Sequence, residues 1–120
     1  SKASSMVVGA GDVGFTIVEL GEYAQQIQRL ERVVLRWKFD MTPHDLIVEF
    51  NVMKGKVESP QKRLRADYLI KNRVVRGGAG AELEGAFAVQ NACTLLWSNE
   101  KSWVRPRTIK FVCDIYAIKD

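Results

Sequence analysis

From Val33 onward, apolar and polar residues alternate with the period of a strand. Val33, Leu35, Trp37 and Phe39 alternate with Val34, Arg36 and Lys38; Leu46, Val48, Phe50 and Val52 alternate with Ile47, Glu49 and Asn51. A period of two places each set on one face of a half-buried strand. Two core strands are therefore expected, joined through a turn over Met41 to Asp45, because Pro43 cannot sit in mid-strand and His44 belongs to the connection. The pattern returns in Cys93 to Trp97 and again in Ile109 to Tyr116, on either side of a polar connection containing Asn99, Ser102 and Trp103. Cys93, Leu95 and Trp97 are expected on one face, with Thr94, Leu96 and Ser98 on the other. The two runs read as a β-hairpin whose final strand turns Ile109, Phe111, Cys113 and Ile115 inward. Trp37, Phe39, Phe50, Leu95, Trp97 and Phe111 are the expected structural core.

The intervening segments are less regular. Glu22 to Arg32 contains many good helix formers, but it is short and runs into Val33-Val34, so a strand is expected there. Met53 to Arg65 has no apolar period and carries Lys54, Lys56, Lys62, Arg63 and Arg65 around Ser59-Pro60. A long exposed loop is expected, and loops of that length often make contacts. Asp67 to Val75 can form a strand through Tyr68, Ile70 and Val74, Arg76 to Gly80 is a Gly-rich break, and Glu84 to Val89 leads into the hairpin.

Composition narrows the class. The chain has 120 residues, 47% of them hydrophobic, enough for one domain with its own core. Residues 1–12 are expected to be a flexible lead-in and 13–120 the folded domain. No run reaches the apolar length of a membrane span, and the first residues lack a signal-peptide core, so a soluble chain is expected. Eighteen basic against fourteen acidic residues give +4, which permits attraction to phosphate or anionic lipid without requiring it. Nucleic-acid recognition motifs are missing, and no DNA or RNA role is expected. Cys93 and Cys113 lie in apolar runs outside any metal-ligand spacing; two buried thiols of a reducing compartment are expected, with a cross-strand disulfide as the alternative.

Candidate chemistry is sparse. Gly9, Gly11 and Gly14 have the spacing of a dinucleotide-binding fingerprint after a short apolar run. That motif needs a helix from Phe15 onward, whereas Phe15-Thr16-Ile17-Val18 suits a strand. His44 has no serine or cysteine motif to partner it, and Glu19, Glu22, Glu49, Asp67 and Asp114 are dispersed. No catalytic residue, metal site or cofactor is assigned, and an enzyme is not expected.

Three stretches together resemble a known family: Leu35-Arg36-Trp37-Lys38-Phe39, Asp45 to Val52, and Leu95-Leu96-Trp97-Ser98-Asn99-Glu100-Lys101-Ser102-Trp103. Their order and spacing resemble the Golgi-dynamics, or GOLD, domain, in which an aromatic-x-aromatic strand is followed by an acid opening an alternating strand. Later comes a strand running into an Asn-x-x-Ser turn, matched by Asn99 and Ser102, and a final alternating strand. The chain departs from the pattern at Asn91-Ala92-Cys93, where the family often has glycine. The resemblance implies a compact antiparallel β-sandwich, related to the jelly roll, that acts as a non-catalytic adaptor in membrane traffic, Golgi organisation or lipid transport. It also implies a cytoplasmic location at the periphery of Golgi or endosomal membranes.

Asn99 and Ser102 are expected to hold their turn through side-chain to backbone hydrogen bonds. Trp103, beside Lys101, Arg105 and Arg107, suits either a protein interface or an anionic membrane surface, and the basic residues of 54–65 could add to either. A protein partner is the leading expectation. Peripheral lipid binding is the second reading, and nucleotide binding through Gly9, Gly11 and Gly14 the third.

Overall fold

The alternating runs become strands because their apolar faces meet across a shared interior. In the computed structural model, residues 3–19, 21, 25, 29, 32–78, 84–88 and 92–118 are described. They form β1 (Ser4–Val8), β2 (Val13–Val18), β3 (Arg32–Thr42), β4 (Ile47–Lys54), β5 (Tyr68–Arg76), β6 (Glu84–Ala88), β7 (Cys93–Ser98) and β8 (Arg107–Ile118). A first sheet has the order β1-β8-β3-β6 and a second β2-β7-β4-β5, with every described pairing antiparallel. The protein is an all-β sandwich.

Strand β3 shows the expected alternation, with Val33, Leu35, Trp37, Phe39 and Met41 buried between more exposed neighbours. Val48, Phe50 and Val52 of β4 face them from the opposite sheet, and Leu95, Trp97 and Ile109 complete the interior. Aromatic rings fill the centre: Phe50 lies 4.7 Å from Phe39, 5.5 Å from Trp97 and 5.8 Å from Trp37, while Trp97 lies 5.1 Å from Phe111. Those spacings are in the range where offset and tilted ring pairs add to simple burial. Phe111, Cys113 and Ile115 pack against this cluster from β8.

The expected hairpin does not form. Strand β7 belongs to the second sheet, between β2 and β4, while β8 belongs to the first, between β1 and β3. The physical reason is that all six residues of β7 are buried. A strand buried on both faces gains most from a central position, and alternation alone does not distinguish a hairpin from an arch between sheets. Residues 99–106 make that arch.

Other expectations change similarly. Residues 4–8 are not a flexible lead-in: β1 pairs with β8 from Ser4↔Phe111 to Val8↔Arg107, and Val8 is buried. Most of 22–32, where a strand is expected, lies outside the described residues, and Arg32 at its end opens β3. Gln25 is helical and the Arg29 N–H donates to the Gln25 carbonyl at 3.0 Å, the spacing of a helical turn. In β5 a bulge shifts the register between Phe50↔Arg73 and Val52↔Ile70, where Asn72 adopts φ 50° and donates its N–H to Asn51 Oδ1 at 2.8 Å. One extra residue turns Val75 inward and leaves Val74 outside. Tyr68 packs on the outer face of the second sheet.

That outer face explains why 53–65 is not simply an exposed loop. Met53 is fully buried and Val57 nearly so, both packed with Leu96 on the side of β7 that faces away from the interior. A 3-10 turn, Pro60–Arg65, follows. Thr94 fastens the segment: its hydroxyl accepts from the Val57 N–H at 3.0 Å and donates to the Gly55 carbonyl at 2.8 Å.

Candidate protein-interaction surface

The arch between β7 and β8 is held from inside by Asn99. This residue is 3% exposed, and its Nδ2 donates to the carbonyls of Val8, Gly9 and Arg105 at 3.3, 3.1 and 3.1 Å. Its N–H donates to the Asp12 carbonyl, and its own carbonyl accepts from Gly11 and Ser102. One side chain thus joins the β1–β2 turn to the arch. The expected side-chain to backbone bonding of Asn99 is present, but across two connections rather than within a hairpin.

This bonding also assigns the Gly-rich motif. Gly11 N–H is spent on Asn99, and Gly14 lies within strand β2, which continues to Val18 where the motif needs a helix. A Cβ on Gly14 would lie 2.6 Å from Met6 Sδ and 2.7 Å from Val8 Cγ2, so the glycine lets β1 and β2 approach closely. The helix N-terminus that would hold a pyrophosphate is absent after Gly14, and the nucleotide reading loses its structural requirement.

Beyond Asn99 the arch carries its least protected side chains. Trp103 is 92% exposed and Val104 83%. They border a cleft of about 320 Å³ whose other lining includes Ile47 and Glu49 of β4, Ser98 and Asn99, and Lys101, Ser102 and Arg107. The alternation of β4 sends Ile47 and Glu49 to the face opposite Val48 and Phe50, so their place here was readable once an arch, not a hairpin, was known to lie beside them.

The cations expected to form a free basic surface are engaged. Lys101 Nζ lies 2.7 Å from Glu49 Oε1, and the hydrogen bond and charge of that carboxylate hold the ammonium above its ordinary pKa. Arg105 pairs with Asp45 at 3.6 Å. Arg107 is the clearest correction: it is 5% exposed and works internally, donating from Nε to the Ile47 carbonyl at 3.0 Å and from Nη1 to the Arg105 carbonyl at 2.5 Å. A third bond reaches Ser102 Oγ at 3.4 Å. Burial, then the charge of Arg105, lowers its pKa, partly offset by Asp45.

The residues of 54–65 do not line the cleft. Lys56 pairs with Glu19 at 2.8 Å, which raises its pKa, and Lys62 with Glu58 at 3.3 Å; Lys54 and Arg65 are exposed. Arg63 alone reaches the arch, through Glu100. Burial raises the Glu100 pKa, but the hydrogen bonds from Arg63 and Ser98 outweigh it, for a net lowering. His44 and Asp40, 3.5 Å apart, are both largely exposed. Among the described residues no cluster of His, Cys, Asp and Glu could hold a metal, and no helix is long and apolar enough to cross a membrane. Cys93 and Cys113 are free thiols, each pushed up to about 11, Cys93 by burial and then by Cys113, Cys113 by burial and then by Asp114.

No model of a known protein family matches the chain, and neither does any curated protein.

Proposed function

We propose that this domain is a non-catalytic protein-interaction module whose contact surface is the Trp103–Val104 tip and the cleft beside it. The observation that carries this reading is the pairing of an almost fully exposed tryptophan with a cleft walled by Ile47 and Val104. Exposed aromatic anchors beside a pocket are where binding energy concentrates in protein interfaces. The resemblance to the GOLD domain adds the setting, an adaptor of a larger protein in membrane traffic, Golgi organisation or lipid transport, in the cytoplasm.

Lipid binding through the basic residues is less well supported. Attraction to an anionic surface relies on projecting, available cations, whereas Lys101 and Arg105 are held by Glu49 and Asp45 and Arg107 is buried. A photo-crosslinking amino acid placed at position 103 in cells, with position 64 as an exposed control, tests the reading. A discrete protein adduct at 103 and none at 64 is expected. Sedimentation with anionic vesicles that survives physiological salt and is lost when Lys101 and Arg105 are neutralised would instead move the surface to lipid.

A further inference from the structure

Arg107 brings a charge into the cleft that no described carboxylate contacts directly, Asp45 acting on it only at a distance. A guanidinium has five N–H donors. Three are used, one on Nε for Ile47 and two on Nη1 for Arg105 and Ser102. The two on Nη2 have no acceptor among the described residues, and no described carboxylate lies within 4.0 Å of this side chain. Trp97 Nε1 is the described side-chain nitrogen sealed from solvent without a partner, so Nη2 keeps some solvent access, and Arg107 lines the cleft. Glu49 does not supply the missing charge, because Lys101 already neutralises it. The cleft therefore carries one recessed positive charge beneath apolar walls.

We propose, resting on the interaction reading above, that the cleft receives an aspartate or glutamate side chain of a partner protein, flanked by bulky apolar residues. Its carboxylate accepts hydrogen bonds from Arg107 Nη2, and its apolar neighbours lie against Ile47 and Trp103. A single carboxylate matches the single charge, whereas a phosphate brings ≈ −1.5 to −2 and would leave charge uncompensated in a partly buried site. A recessed arginine also favours a side chain that can reach in over a flat headgroup layer. Charge-assisted bonds of this kind are shorter and stronger than neutral ones, because donor and acceptor are both ionised.

The test is selection of a displayed random-peptide library on the intact domain, followed by titration of a selected peptide and its amide counterpart, Asn for Asp or Gln for Glu. Trp103 fluorescence reports binding, since Trp37 and Trp97 are 4% and 0% exposed. Enriched peptides are expected to share one acidic position between apolar residues, and the amide counterpart to bind about ten- to a hundredfold more weakly. Glu49→Gln, which removes a negative charge from the cleft and frees Lys101, should tighten binding of the acidic peptide and not of the amide one. Arg107→Gln should abolish the difference between the two peptides. Because Arg107 also holds the arch, its variant is scored only if it melts cooperatively, and otherwise Glu49→Gln and the peptide pair decide. Peptides that need Trp103 but share no acid would overturn the carboxylate assignment and leave the interaction surface standing. Failure to select any peptide lost in Trp103→Ala would overturn both. Binding of phosphatidylserine-containing but not phosphatidylcholine vesicles, with no acidic peptide selected, would replace the peptide by lipid.

Discussion

The outer face of the second sheet has two ends that are treated differently. At one end Thr94 and Leu96 of β7, Met53 of β4 and Phe15 of β2 are roofed by the segment carrying Val57 and Ala66. At the other, Glu49 and Val74 stand opposite one another on β4 and β5, and Ile47, Val74, Trp103 and Val104 are left 46%, 55%, 92% and 83% exposed. Both ends present apolar side chains, yet the chain covers only one with itself. Fully burying a valine is worth about 1.5–3 kcal/mol, so leaving several exposed side by side forgoes stability that the covered end collects. Exposed apolar residues grouped beside a cleft are the pattern of a contact surface, unlike the same residues scattered singly.

The contrast can be broken at several points. The deepest probe is Trp97→Ala, which should cost about 3–5 kcal/mol in denaturant unfolding, because Trp97 contacts rings from both sheets. If the roofed end is core in its own right, Leu96→Ala should follow at about 2–5 kcal/mol; a cost below about 0.5 kcal/mol would reduce the roof to a loosely laid loop. Thr94→Val strands the Val57 N–H and the Gly55 carbonyl and should cost about 1–3 kcal/mol with little change in volume. Alkali separates interior from surface. The folded state holds the Cys93 and Cys113 protons more tightly than the unfolded chain, so their contribution to stability is fully present below 9.0 and is lost as pH rises from there toward about 11. That loss should shrink in Cys93→Ala and Cys113→Ala. At the bare end, Trp103→Ala should change stability by no more than about 0.5 kcal/mol, and a large loss there would mean that the tip caps the core.

The two-residue period was enough to place β3, β4, β7 and β8 and to name the rings at their centre, since each of those strands buries one face against the opposite sheet. It was not enough to pair them. Leu96 reads as the polar-side partner of Leu95 until Val57 is known to cover it, and Val57 sits in a segment with no periodicity of its own. The bulge at Asn72 changes which valine faces inward, and its cause, a side-chain acceptor on Asn51, lies on the neighbouring strand. Trp103 was legible as an unusual residue in a connection. The burial of Arg107 was not, because its acceptors are carbonyls of Ile47 and Arg105, which leave no trace in residue type. Glu49 and Asp45 likewise become partners of Lys101 and Arg105 only when the arch is laid over β4.

The placement of β8 also sets an order in time. It is the last of the eight described strands to be synthesised, yet it lies between β1 and β3 and pairs with both. Until it emerges, β1 has no neighbour and β3 can pair only with β6, so the first sheet is a two-stranded ribbon, marginal in water. The second sheet can assemble earlier, but the apolar faces of Leu35, Trp37 and Phe39 then await their central strand. A nascent chain must hold those residues open until β8 emerges. Closing pairings between such distant segments is slow, on the order of milliseconds to seconds.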